Sequence, residues 1–375
     1  MGRLDHLAAN PAGWDHPTMT TVTTPDSFTA EWLTERLREA GHSTAEVKSF
    51  AATAIGTGQM GKCIRYELDL AGADESTPRS LVGKFPSDDP LSRQTAVALK
   101  SYLKEVSFYR DLQPRLTIST PRCYHAEIDG DGPDFALLLE DMAPAVQGDQ
   151  LAGCSVDIAR VAVQELIGLH APSWCDEEIR ATDWLGAGNE ASTDLIRALY
   201  RAQLTGFFER YGSRLAPDEA KIIERVADSK GPPFEPPREP FSVVHVDYRI
   251  DNLLIDATAH PPRVSVVDWQ TVTVGSPLND VCYFMGASLL RDDRLSAEDE
   301  LVRAYHRGLR EAGVEGYAWD QCWEDYRRGA FAGVVMAVVA SMIVQQTERG
   351  DAMFTAMAAR HSRHAIDIGA DDFLG

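Results

Sequence analysis

The stretch "VVHVDYRIDNLLID", Val243 to Asp256, sets a histidine, three aspartates and an asparagine in a run that otherwise reads as buried strand. Burying an acid is costly unless it is paired or holds a metal. Asp247 and Asn252 therefore need partners, and the rest of the chain has to supply them. A second apolar strand follows, "RVSVVDW", Arg263 to Trp269, and it delivers Asp268 at its end. Asn252 and Asp268 are hard oxygen ligands on neighbouring strands. They suit Mg²⁺, which takes a few protein oxygens and completes its shell with water and phosphate. Asp247 lies a short loop earlier, where it can accept a hydroxyl proton. His245 is read as a core histidine that braces the loop.

Upstream, "IGTGQMGK", Ile55 to Lys62, spaces glycines at Gly56, Gly58 and Gly61. Dinucleotide folds use the same spacing but open a helix directly after it. Here "KCIRYELDL" follows, alternating apolar and polar with no helical stripe. The reading is strand, glycine loop, strand: a hairpin whose backbone can close over phosphates. One hairpin later "SLVGKF" carries Lys84 near its end. Glu105, in "SYLKEVSFY", shares a helix face with Tyr102 and Tyr109, three residues before and four after it. A carboxylate on such a face needs a cation, and Lys84 is the candidate.

The chain has 375 residues, with 36 basic and 57 acidic side chains and a net charge of −21. That charge repels nucleic acid and anionic membranes, so neither is expected as a partner. Six cysteines form no CxxC pair. Without an N-terminal basic and apolar signal pattern, reduced thiols and a cytoplasmic location are the expectation. The apolar run Gly329 to Val344 is shorter than the roughly 20 residues that span a bilayer and is read as a buried helix.

The expected layout is α+β and bilobal. Residues 1–25 form a loosely ordered leader. Residues 26–141 form a small β-rich lobe: a helix over Ser27–Ala40 stopped by Gly41, five strands, and one long amphipathic helix over Pro90–Leu112. Residues 142–375 form a larger helical lobe carrying one β-hairpin.

The glycine loop, strand lysine, helix glutamate, H-x-D-x4-N and strand-end aspartate occur in the order of the protein-kinase signature set. The chain resembles the kinase-like phosphotransferases of small molecules, the aminoglycoside phosphotransferase and choline kinase group, and within it the ecdysteroid-kinase-like branch. "EWLTERLREAG", "EVSFYRDL", "LLLEDM", "LHAPSW", "HVDYRIDNLLI" and "VVDWQTVTVGSPLNDVCYF" carry the likeness. It implies a bilobal kinase-like fold and transfer of the γ-phosphate of ATP, or of GTP as an open alternative, to a small-molecule alcohol. It implies that Lys84, fixed by Glu105, grips phosphates under Gly56, Gly58 and Gly61. It places the adenine at the backbone of Glu140, Asp141 and Met142, and Mg²⁺ on Asn252 and Asp268. Asp247 becomes the acceptor-side base, with Arg249 beside it, and Asp280 a structural acid. The alternative is a nucleotide-binding pseudokinase acting as an interaction protein.

The chain departs from protein kinases at Asp268-Trp269-Gln270 and at "GSPLND". Only eleven residues, Trp269 to Asn279, separate Asp268 from Asp280. It departs from the branch at Val246, where glycine is common; a β-branched residue does not easily adopt positive φ.

Overall fold

The computed structural model describes residues 24–56, 60–186, 188, 190–236 and 238–375. The proposed leader thus lies almost wholly outside the described residues, and so does Gly58.

Helix α1 (Ala30–Glu39) is capped by the Thr29 side chain and ends before Gly41, whose φ of +105° is the left-handed stop that glycine supplies. Five strands follow as one antiparallel sheet: β1 (Glu46–Ile55), β2 (Gly61–Ala71), β3 (Ser80–Pro86), β4 (Cys123–Ile128) and β5 (Phe135–Glu140), in the order β1-β2-β3-β5-β4. The run Phe135–Leu139 is apolar throughout because both faces of this sheet are covered. Ala136 and Leu138 join Phe28, Leu33, Leu37, Tyr66 and Phe85 under α1. Leu137 and Leu139 point the other way, into the main core with Tyr102 and Val106.

The stretch expected as one helix over Pro90–Leu112 is broken. It forms α2 (Pro90–Ala98), α3 (Ser101–Ser107) and a π-helical turn at Phe108–Leu112. Lys100 takes a left-handed φ of 56°, and α3 restarts on a new axis. The break aims Tyr102, Glu105 and Val106 into the sheet and leaves Leu91 and Leu99 in solvent.

The second part contains β6 (Val146–Gln147), α4 (Val156–His170), α5 (Glu177–Arg180), α6 (Glu190–Tyr211) and α7 (Pro217–Asp228). Strands β7 (Ser242–Val244), β8 (Leu253–Asp256), β9 (Arg263–Val266) and β10 (Thr273–Gly275) follow. Helices α8 (Pro277–Ser288), α9 (Arg291–Glu311), α10 (Trp319–Arg328), α11 (Ala332–Ile343) and α12 (Glu348–Asp367) complete it. The expectation of a single hairpin is corrected. β8 pairs with β9 and β6, whereas β7 pairs with β10 in a separate ladder. The opening stretch is thus two strands in two sheets, with a loop and a 3-10 turn (Ile250–Asn252) between them. Polar residues that cannot join a ladder occupy that loop.

The apolar run is α11, packed against α6 and α12. Among the described residues, Trp319–Ile343 is the one helical stretch long and apolar enough to cross a membrane, and half of its most apolar window is buried inside the protein.

Candidate active site

Lys84 projects from β3 on the inner sheet face, directly across from Cys63 of β2. Its Nζ donates to Oε1 of Glu105 at 2.6 Å and to Oδ1 of Asp268 at 3.0 Å. α3 brings in Glu105, and the end of β9 brings in Asp268. Burial opposes the Lys84 charge, but Asp268 and Glu105 outweigh it and hold the ammonium well above the usual lysine range. Burial pushes Glu105 up, only partly offset by Lys84. Asp268 is also penalised by burial, yet Lys84 prevails and holds it below the usual carboxylate range.

The glycine loop is tied to this group. The Tyr102 hydroxyl, one turn before Glu105, donates to the carbonyl of Met60 at 2.7 Å. Gly61 approaches Lys84 so closely that an added Cβ would stand 3.1 Å from its Cε, and Gly56 has a φ of +74°. The strand β2 that follows is antiparallel to β1, which removes the dinucleotide-fold reading of these glycines.

Asp247 and Asn252 are bound to each other. Asn252 Nδ2 donates to Oδ2 of Asp247 at 2.9 Å and to its backbone carbonyl at 2.8 Å. Arg249 Nε donates to Oδ1 of Asp247 at 3.0 Å, and its Nη1 reaches Asp251 at 2.7 Å. The Val267 amide donates to the Asn252 carbonyl at 3.0 Å, which sets Asn252 beside the residue preceding Asp268. His245 braces the loop as read: it is buried, and its Nε2 lies 3.1 Å from the Val267 carbonyl. Beneath the loop, both carboxylate oxygens of Asp280 accept backbone amides, His245 N at 2.6 Å and Val246 N at 2.9 Å. Trp269 stacks face to face on Phe108 at 3.7 Å and fixes the segment after Asp268 against α3's continuation.

Three partners were not foreseen. Tyr283 donates its hydroxyl to Oδ1 of Asp247 at 2.8 Å. Gln270 donates to Oδ2 of Asp268 at 2.9 Å. Arg65 grips Asp141 with two bonds of 2.6 and 3.0 Å. Only Arg65 left a trace in sequence, as a charge on the same strand face as Cys63.

Glu140 and Met142 stand apart from this cluster. With Asp141, Leu254, Ser265 and one face of α4 they line a cavity of about 920 Å³ at the junction of the two parts. Lys84, Asp247, Asn252 and Asp268 do not line it.

The donor set fits magnesium. Among the described residues no cluster of three or more His, Cys, Asp or Glu side chains could hold a metal by itself. Asn252 spends its amide nitrogen on Asp247, which leaves its side-chain oxygen for a ligand. Two protein oxygens from Asn252 and Asp268 match an ion that draws the rest of its shell from phosphate and water.

The model of the ecdysteroid kinase-like family matches residues 56–314. The chain belongs to the ecdysteroid kinase-like family. With it, the chain joins the kinase-like small-molecule phosphotransferases. No curated protein matches it. Among solved structures, choline kinase from Cryptosporidium parvum Iowa II superposes with a TM-score of 0.51 at 10% identity, covering 90% of this chain and 95% of that one. That likeness shows the fold. A choline/ethanolamine kinase family protein from Mesorhizobium loti matches with TM-score 0.43 and 13% identity, over 90% and 98% of the two chains. The streptomycin–ATP–APH(2")-IIa ternary complex matches with TM-score 0.47 and 14% identity, over 86% and 94%.

Proposed function

We propose that this family member transfers the γ-phosphate of ATP to a hydroxyl of a small-molecule alcohol. The observation that carries the reading is the convergence of Lys84, Glu105 and Asp268 with the Asp247–Asn252 pair, from elements far apart in sequence. Lys84 and Glu105 present a fixed cation to the α- and β-phosphates. Gly56, Gly58 and Gly61 cover them. The N-terminal lobe, residues 26–141, holds the nucleotide, with its purine at Glu140 and Met142. The C-terminal lobe, residues 142–375, holds the acceptor.

Asn252 and Asp268 would hold Mg²⁺, which supplies charge neutralisation on the phosphates. Asp247 orients the acceptor hydroxyl and takes its proton, and Arg249 balances its charge. Phosphoryl transfer passes through a loose, highly charged transition state, so positioning and neutralisation supply most of the catalysis. GTP is the competing donor in any nucleotide assay. The chain would work in the cytoplasm, where its six free cysteines stay reduced.

Only eleven residues separate Asp268 from Asp280. That is too short for the long activation segment that presents a peptide, and it favours a small acceptor. The test uses γ-labelled ATP with magnesium, first on a panel of alcohols and then on casein. Asp247→Asn should keep ATP binding and lose roughly a hundred-fold in turnover. Efficient labelling of casein with every alcohol inert would overturn the acceptor class. Nucleotide binding with no transfer at all would favour the pseudokinase.

A further inference from the structure

We infer that Tyr283 is a positioning residue for Asp247, fixing which carboxylate oxygen meets the acceptor; this deepens the reading above and rests on it. Each carboxylate oxygen has two lone pairs. Oδ1 of Asp247 receives two donors, Arg249 Nε at 3.0 Å and the Tyr283 hydroxyl at 2.8 Å. Oδ2 receives one, Asn252 Nδ2 at 2.9 Å. The lone pair left over is on Oδ2. An acceptor hydroxyl can therefore hydrogen-bond Asp247 at one oxygen only.

The donor is built in from below. Tyr283 stands one helical turn after Asp280 on α8, on the same face. Asp280 fixes the loop backbone at His245 and Val246, while Tyr283 fixes the carboxylate. Tyr283 is buried, and burial together with the Asp247 charge drives its phenol well above the usual tyrosine range. It therefore remains a donor throughout the working pH range. On its far side its ring packs against the His361 imidazole, centroids 5.1 Å apart and planes inclined by 32°. His361 is wholly buried, and neither ring nitrogen has a partner. The slot for that imidazole exists only because two glycines flank it. An added Cβ would stand 2.2 Å from the ring at Gly333 and 2.6 Å from it at Gly286. The stack of Gly333, His361 and Tyr283 thus ends on Oδ1 of Asp247.

The test is Tyr283→Phe, which keeps the ring on His361 and removes the hydroxyl. Nucleotide Kd and thermal midpoint should stay at wild-type values while kcat for transfer falls about 10- to 100-fold, the scale of a misplaced reacting group. Hydrogen exchange of the 245–252 segment should quicken in the variant. An unchanged kcat, or equal losses in nucleotide affinity and kcat, overturns the proposal. If the wild-type protein transfers to no alcohol, the functional reading fails by itself, and the exchange measurement still decides whether Tyr283 holds the loop. Equal exchange in the two proteins overturns it.

Discussion

Val246 donates its amide to Oδ1 of Asp280 at 2.9 Å while its own φ stands at 74°. The loop thus adopts the left-handed conformation that favours glycine, and a β-branched residue has been forced into it. Asp280 over-determines the geometry, since it also holds the neighbouring His245 amide at 2.6 Å. Strain of this kind costs about 1–3 kcal/mol. Glycine there would relieve it and lose about 0.5–1 kcal/mol to chain entropy. Val246→Gly should therefore raise stability by roughly 1 kcal/mol, read as a higher midpoint in denaturant. A lower midpoint would mean that the half-buried valine side chain contributes more than its backbone costs.

Lys84 is shared between Glu105 and Asp268, and Glu105 is the partner with almost no solvent exposure, at 1%. Glu105→Gln keeps an oxygen for the ammonium and removes the charge. Lys84 would then depend on Asp268, which the proposed metal also claims. We expect kcat/KM to fall on the order of a hundred-fold, the scale of one lost electrostatic contact to developing phosphate charge. The circular dichroism spectrum should not change. Wild-type kinetics in this variant would show that Lys84 holds its place without a counter-charge.

His361 gives the fold an acid-side weakness. Burial, then the neighbouring His364, Arg360 and Arg294, lower its pKa from 6.5 to about 3. The unfolded histidine takes up a proton below about 6.5, while the folded one stays neutral down to about 3. Its contribution is complete above pH 6.5 and is lost as pH falls from there toward 3, at up to about 1.4 kcal/mol per pH unit. His361→Leu should flatten the decline of unfolding free energy between pH 7 and 5 relative to wild type. Parallel declines in the two proteins would show that other groups carry the acid sensitivity.

The chemistry was legible where side-chain type conflicts with context. Asp247 and Asn252 stand out because acids and amides do not belong in a strand, and the structure gives them a loop between two sheets instead. Lys84 and Glu105 stand out as charges on apolar faces, and they meet at 2.6 Å. Tyr283 gave no such sign. In "DVCYFMG" a tyrosine reads as core, and its contact depends on how α8 docks beneath the loop. The break at Lys100 was equally silent, since neither glycine nor proline marks it; tertiary packing of α3 on the sheet sets that conformation. The single long helix and the single hairpin were errors of the same origin. Periodicity reports which face is apolar, not where an axis bends or which ladder a short strand joins.

Asp268 offers the sharpest check on the proposed metal. It sits at φ 70°, a conformation that asparagine tolerates and alanine does not favour. Asp268→Asn therefore preserves the backbone while removing the only formal charge that Asn252 and Asp268 together offer an ion. Lys84 would keep Glu105 as its counter-charge, so the fold should survive. We expect calorimetry to show the affinity for magnesium–ATP falling by about 100-fold or more, the scale of damage to a metal's ligand set. Affinity for ATP without magnesium should fall far less, because the Lys84–Glu105 grip on the phosphates is intact. Asp268→Ala should show the same loss together with some reduction in thermal midpoint. If both variants bound magnesium–ATP as wild type does, with the same dependence on magnesium concentration, Asp268 would be a structural partner of Lys84 and the ion would have to sit elsewhere.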